Sequence, residues 1–211
     1  MGSPPAGSEL SNYRWLKSLI TLLACGLAVI AAAFNVRALL QGKTDALVVL
    51  VFYTTYAILF AIRRPSITEM KGLKHWLVAL GGTFLPFFVL HGGSRLVLPW
   101  TAVFTLQGLQ TLYMYGAVLS LGKSFGVIAA VRQIKTQGLY RFVRHPLYSA
   151  ELLGFLLAVS QNASIYNMAL IVIQVSCQLI RIQDEERLLR QDPQYEAYFA
   201  TVRYRLIPGV Y

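Results

Sequence analysis

The sequence predicts an all-α fold: a polytopic membrane bundle of about six transmembrane helices with a cytoplasmic C-terminal cap helix. Three observations carry that expectation. Hydrophobic residues make up 56% of the 211 positions and charged residues 13%, which fits a membrane-embedded chain better than a soluble one. The apolar residues fall in runs close to the ~20 residues that cross a bilayer core as helix. The basic residues gather at the ends of those runs, where Lys and Arg set orientation.

Taken in order, residues 1–13, which begin MGSPPAGSEL, read as a flexible tail. Position 6 is Ala6 rather than Ser or Thr, so the M-G start is not a myristoylation signal. Residues 14–121 hold four predicted spans. The run 16–34 follows Arg14 and Lys17; further apolar runs come after it, so it reads as a first span rather than a cleaved leader. The run 46–62 stops at Arg63, Arg64 and Pro65. The run 76–90 contains Gly81, Gly82 and Pro86, which predict close packing or a kink. The run 98–121 is the fourth.

Residues 122–211 form the predicted functional region. Residues 122–145, a polar stretch of 24, are too charged to cross a bilayer and long for a passive connection. Residues 147–182 are apolar over 36 positions. One straight helix of that length measures roughly 54 Å, more than a bilayer. The polar interruption QNAS at 161–164 therefore predicts a helical hairpin, giving the fifth and sixth spans. Beyond Gln183 the chain is polar. Asp192 followed by Pro193 reads as an N-cap and first helical residue. Tyr195, Tyr198, Phe199 and Val202 then share one face, suited either to a membrane surface or to packing on the protein itself.

Charge fixes the predicted orientation. With the N-terminus cytoplasmic and six spans, 16 of the 19 Lys and Arg residues fall on the cytoplasmic side and Arg37, Lys43 and Arg95 on the other. Both termini are then cytoplasmic. The net charge of +10 is accounted for by membrane headgroups rather than nucleic acid. Cys25 and Cys177 lie inside apolar runs without metal-ligand or redox spacing, and no metal site is expected. His75 and His91 read as interfacial side chains.

The densest polar cluster is GLYRFVRHPLYSAE, residues 138–151. Pro146 restricts His145 to extended backbone and suits the first turn of a helix. A helix N-terminus offers free N–H groups and a partial positive charge, and Arg144 adds to both. Interfacial anchoring by Arg and Tyr explains the same residues. The facing stretch is RIQDEERLLRQDPQYEAY, residues 181–198. Its carboxylates suit either i,i+4 pairing, Arg181 with Glu185 and Glu186 with Arg190, or a cationic ligand held against Arg144 and His145.

LGKSFG, GLYRFVRHPLY, DEERLL, PQYEAY and RLIP occur in that order. As a set they resemble the isoprenylcysteine carboxyl methyltransferase family, with phospholipid N-methyltransferases in the same broad superfamily, over residues 119–208. The resemblance implies S-adenosylmethionine as methyl donor. It implies that Lys135, Gly138, Tyr140, His145, Pro146, Tyr148 and Glu186 line the cofactor site, and that Arg144 and Glu185 are catalytic. It also implies a lipophilic or prenylated acceptor, with a prenylcysteine-type carboxylate placed first and an ethanolamine-type phospholipid second. Eukaryotic carboxyl methyltransferases tend to carry a histidine just before G-x-Y, where this chain has Arg132, Gln133, Ile134 and Lys135. The competing classes are a non-enzymatic membrane protein and a relative binding another cofactor, as in membrane sterol reductases. Transport is disfavoured because the ionisable groups flank the apolar cores instead of occupying them.

Overall fold

The computed structural model describes residues 14–41, 54, 58, 61–62, 68–69, 73–90, 94, 99–124, 130–131 and 134–211. The tail expected at 1–13, most of the run 46–62, and His91 lie outside those residues. The chain divides into two compact units, Met1–Arg63 and Arg64–Tyr211.

In the first unit, α1 covers Arg14–Leu40. Its 27 residues run past the apolar stretch expected at 16–34, because Asn35 to Leu40 contain no Gly or Pro to stop a helix. Leu22, Leu23, Val29, Ile30, Phe34 and Leu40 stand exposed along it.

Among its described residues the second unit is helical apart from turns, the C-terminal tail and one short β pair. It contains α2 (Leu73–Phe84), α3 (Trp100–Leu121), α4 (Pro146–Ser160), α5 (Ile165–Leu189) and α6 (Pro193–Thr201). α2 stops before Pro86, which falls in a 3-10 turn over Leu85–Phe88; proline cannot supply the N–H an α-helix needs there. Strands β1 (Thr68–Glu69) and β2 (Ala130–Val131) pair antiparallel, with Thr68 opposite Val131. Among the described residues, Ile165–Leu189 is the helix long and apolar enough to cross a membrane by length and composition.

α2 and the segment that follows it to Leu90 run antiparallel to α5 and are pinned to it along their length. His75 Nδ1 meets Asp184 Oδ2 at one end. Mid-helix, Gln174 Nε2 donates to the Gly82 carbonyl at 2.8 Å. At the other end Leu90 N donates to Asn167 Oδ1 at 3.1 Å and Asn167 Nδ2 returns to the Leu90 carbonyl at 2.9 Å. Close approach requires Gly82: a Cβ there would lie 2.8 Å from Arg181 Cδ and 2.9 Å from its Nη1. α3 packs on α4 in the same manner. Gln110 Nε2 donates to the Ala150 carbonyl at 2.9 Å, over Gly154, whose absent side chain leaves room for the Gln110 amide.

The chain turns between α4 and α5 at residues 161–164. Ser164 caps α5, its hydroxyl accepting from Asn167 N at 3.1 Å. Ser94 and Ala163 bond to each other through their backbones at 3.0 and 2.8 Å. Phe155, Val159 and Leu170 form the core beneath this bend. The far end of the bundle holds a second cluster, Tyr148, Ile182 and Leu206.

Candidate functional site

α5 brings Glu185 and Glu186 to the level where α4 begins, against His145 and Tyr148. His145 is the N-cap of α4, with φ −129° and ψ 61°, and Pro146 is its first residue. No side chain caps this helix. The position is held instead by the C-terminal tail. Arg144 N donates to the Tyr204 carbonyl at 2.9 Å and His145 N to that of Arg205 at 2.8 Å.

Glu186 sits at the centre of the polar cluster, 3% exposed. Its Oε1 accepts from Arg144 Nε at 2.8 Å and lies 3.2 Å from His145 Nε2. Its Oε2 accepts from Arg205 Nε at 2.9 Å. Arg144 also donates through Nη1 to the carbonyls of Val202 and Arg203 at 2.7 and 2.8 Å, and its guanidinium lies 4.2 Å over the Phe199 ring. The sequence pairing of Glu186 with Arg190 is thus replaced: Arg190 forms a two-pronged bond to Glu196, 2.8 Å on each side. A buried carboxylate gains more from enclosed cations than from one exposed neighbour a helical turn away.

Glu185 faces a different way. Tyr148 donates its hydroxyl to Glu185 Oε2 at 2.8 Å, and His145 Nδ1 lies 3.9 Å from the same oxygen. The His145 and Tyr148 rings are nearly parallel, 5° apart, with centroids at 5.5 Å. Arg181 covers Tyr148 at 4.6 Å. Below it, Gln178 Nε2 donates to Glu151 Oε2 at 2.7 Å, and Arg181 Nη1 lies 3.9 Å from that oxygen. Gln174, Gln178, Arg181 and Glu185 form a polar stripe down α5 that ends in this cluster.

Arg144, His145, Pro146, Tyr148, Glu185 and Glu186 are therefore brought together. Tyr140 is buried beside them in a 3-10 turn, Gly138–Arg141. Its carbonyl accepts from the Tyr198 hydroxyl at 2.7 Å. Gly138 opens that turn with φ +64°, a conformation glycine reaches without strain. Lys135 is half-buried between β2 and that turn. On α6, Asp192 Oδ1 accepts from Gln194 N at 2.8 Å as the N-cap. The face bearing Tyr195, Tyr198 and Val202 packs inward against Ile134, Leu189 and Phe199. Burial pushes the Tyr140, Tyr195 and Tyr198 hydroxyls above the usual tyrosine range.

The contacts of Arg205 with Glu186, Glu151 with Gln178 and His75 with Asp184 carry no local motif, because the partners lie 19 or more residues apart. His75, which reads as an interfacial side chain, is tied to α5 through Asp184.

In the second unit, helical among its described residues apart from one two-residue β pair, a hairpin of α4 and α5 presents a His–Tyr–Glu cluster at its open end. Residues 102–191 match the family model described as isoprenylcysteine carboxyl methyltransferase (ICMT) family. The match covers nearly all of α3 and the whole of α4 and α5, with both glutamates. It supports the resemblance seen in the motifs and associates the cluster with a family of methyltransferases. No curated protein matches the chain.

Proposed function

We propose that this chain is an integral membrane methyltransferase that uses S-adenosylmethionine and acts on a lipophilic acceptor, a prenylcysteine-type carboxylate. The observation that carries the reading is the convergence of His145, Tyr148 and Glu185 at the uncapped start of α4, inside the family-matched segment. We infer six spans with both termini cytoplasmic from the apolar runs and the bias of Lys and Arg along the sequence. The β1–β2 pair and His75–Asp184 lie at one end of the second unit, and the Ser94–Ala163 bonds at the other.

Two features of the residues fit the cofactor. The first turn of α4 has N–H groups that no side chain caps, and the buried Tyr195 hydroxyl has no hydrogen-bond partner among the described residues. S-adenosylmethionine, when bound, supplies a methyl group on a positive sulfonium. Glu185, oriented by Tyr148, offers its carboxylate to the ligand's cationic groups. The Tyr140 ring offers a face that stabilises a cation by around 0.5–2 kcal/mol, while the Tyr148 ring, stacked with His145 and covered by Arg181, acts through its hydroxyl on Glu185. Arg144 and Glu186 neutralise each other and hold His145 in place. A carboxylate acceptor is ionised at neutral pH and needs no base. Alignment then supplies most of the acceleration, roughly 7–11 kcal/mol. An apolar cavity of about 380 Å³, lined by Tyr113, Leu139, Val143, Ser149, Leu206 and Ile207, lies beside the cluster through Leu206 and suits a hydrocarbon chain.

A second acceptor, an ethanolamine-type amine, is favoured by one observation: Glu151 places another carboxylate one turn below Tyr148, beside Arg181. Two measurements test the proposal. S-adenosylhomocysteine should raise the melting temperature of the purified protein and NADPH should not. Labelled methyl should pass to a prenylcysteine analogue in preference to a lipid extract. No shift with S-adenosylhomocysteine would overturn the cofactor; transfer into aminophospholipid alone would overturn the carboxylate acceptor.

A further inference from the structure

Tyr195 is 3% exposed, and its hydroxyl oxygen is buried with no hydrogen-bond partner among the described residues. Its neighbour on α6 behaves differently: the Tyr198 hydroxyl is satisfied by the Tyr140 carbonyl at 2.7 Å. The two rings are 5.5 Å apart, so they share one environment and differ in what their hydroxyls meet. Burying an unpaired hydroxyl is costly, and phenylalanine would fill the same space without that cost. The Tyr195 ring packs with Leu189, one turn beyond Glu185 on α5, and lies 6.5 Å from the Phe199 ring that supports Arg144. The charges acting on the hydroxyl are those of Glu185, Glu186 and Arg144. The unsatisfied hydroxyl is thus buried within electrostatic reach of the Arg144, Glu185 and Glu186 cluster, and burial first of all keeps it protonated as a donor.

We propose that the Tyr195 hydroxyl is a cofactor-binding donor, giving a hydrogen bond to a carboxylate or ribose oxygen of S-adenosylmethionine and making α6 part of the binding site. The assignment rests on the methyltransferase reading above. It explains why a short helix beyond the bundle keeps a buried tyrosine whose polar end the protein leaves unused.

The test uses the full chain in detergent, with Tyr195→Phe and Tyr198→Phe, and reads two quantities: the melting temperature of the ligand-free protein, and the Kd for S-adenosylhomocysteine by calorimetry. Tyr195→Phe should melt at the same or a higher temperature without ligand, yet bind about 5–30-fold more weakly. Tyr198→Phe should melt lower, having lost a structural bond. An unchanged Kd for Tyr195→Phe overturns the proposal, as does a lower melting temperature without ligand, which would make the hydroxyl structural. Absence of binding by the unmodified protein would instead remove the cofactor reading on which the assignment stands.

Discussion

Arg144 and Glu186 stand 42 residues apart in the chain and meet at 2.8 Å, with side chains 5% and 4% exposed. The contact joins the start of α4 to the end of α5 and is closed from outside by the tail carbonyls of Val202 and Arg203. Removing one partner of such a pair leaves a charge buried without compensation.

Arg144→Ala and Glu186→Gln should each destabilise the protein by about 3–5 kcal/mol. Arg144→Lys should recover little, since an ammonium cannot reproduce the fork of contacts. Thermal unfolding in detergent checks this. A loss within about 0.5 kcal/mol for Arg144→Ala would place the pair among weak surface bridges.

Glu185 should behave in the opposite way. Its side chain is 26% exposed, and among the described residues it meets the Tyr148 hydroxyl and His145. Glu185→Gln should leave the melting temperature nearly unchanged and weaken S-adenosylhomocysteine binding by about tenfold or more. Comparison with Glu186→Gln separates ligand binding from support of the site.

Two glycines should resist substitution for different reasons. At Gly138 a Cβ would overlap the Ser120 hydroxyl, and φ is +64°. Gly138→Ala should cost about 1–2 kcal/mol for the backbone alone, and Ser120→Gly should relieve the overlap without restoring the rest. At Gly82 the backbone is ordinary helix, so Gly82→Ala acts by pushing on Arg181. Loss of methyl transfer with a modest fall in melting temperature is the expected result.

Alkaline pH should destabilise the fold. Tyr140, Tyr195 and Tyr198 are held protonated, first by burial, above the usual tyrosine value. The unfolded chain releases those protons near pH 10 while the folded one keeps them. Their contribution is therefore complete below about pH 10 and is lost as pH rises further, by up to about 1.4 kcal/mol per pH unit for each group. Melting temperatures from pH 8 to 11 should show the decline, and Tyr198→Phe should make it shallower.

Membrane orientation can be read directly. In a background lacking Cys25 and Cys177, cysteines at Ser94 and Gln191 should label from opposite faces, with Gln191 cytoplasmic. Labelling of both from one face would remove the six-span arrangement.

By itself the sequence determined where helices can run and which polar residues crowd their ends. Apolar runs, the Gln161–Ala163 interruption with Ser164, the Asp192–Pro193 cap and the RHPLY and DEERLL motifs are local, governed by hydrogen-bonding needs within a few residues. Pro86 was legible as a break for the same reason. Which residue would partner which was not: Glu186 with Arg144 and Arg205, Glu151 with Gln178, His75 with Asp184. Tertiary structure decided these, because a buried charge selects the cations enclosed with it, and that enclosure exists only once α2, α4, α5 and the tail have packed.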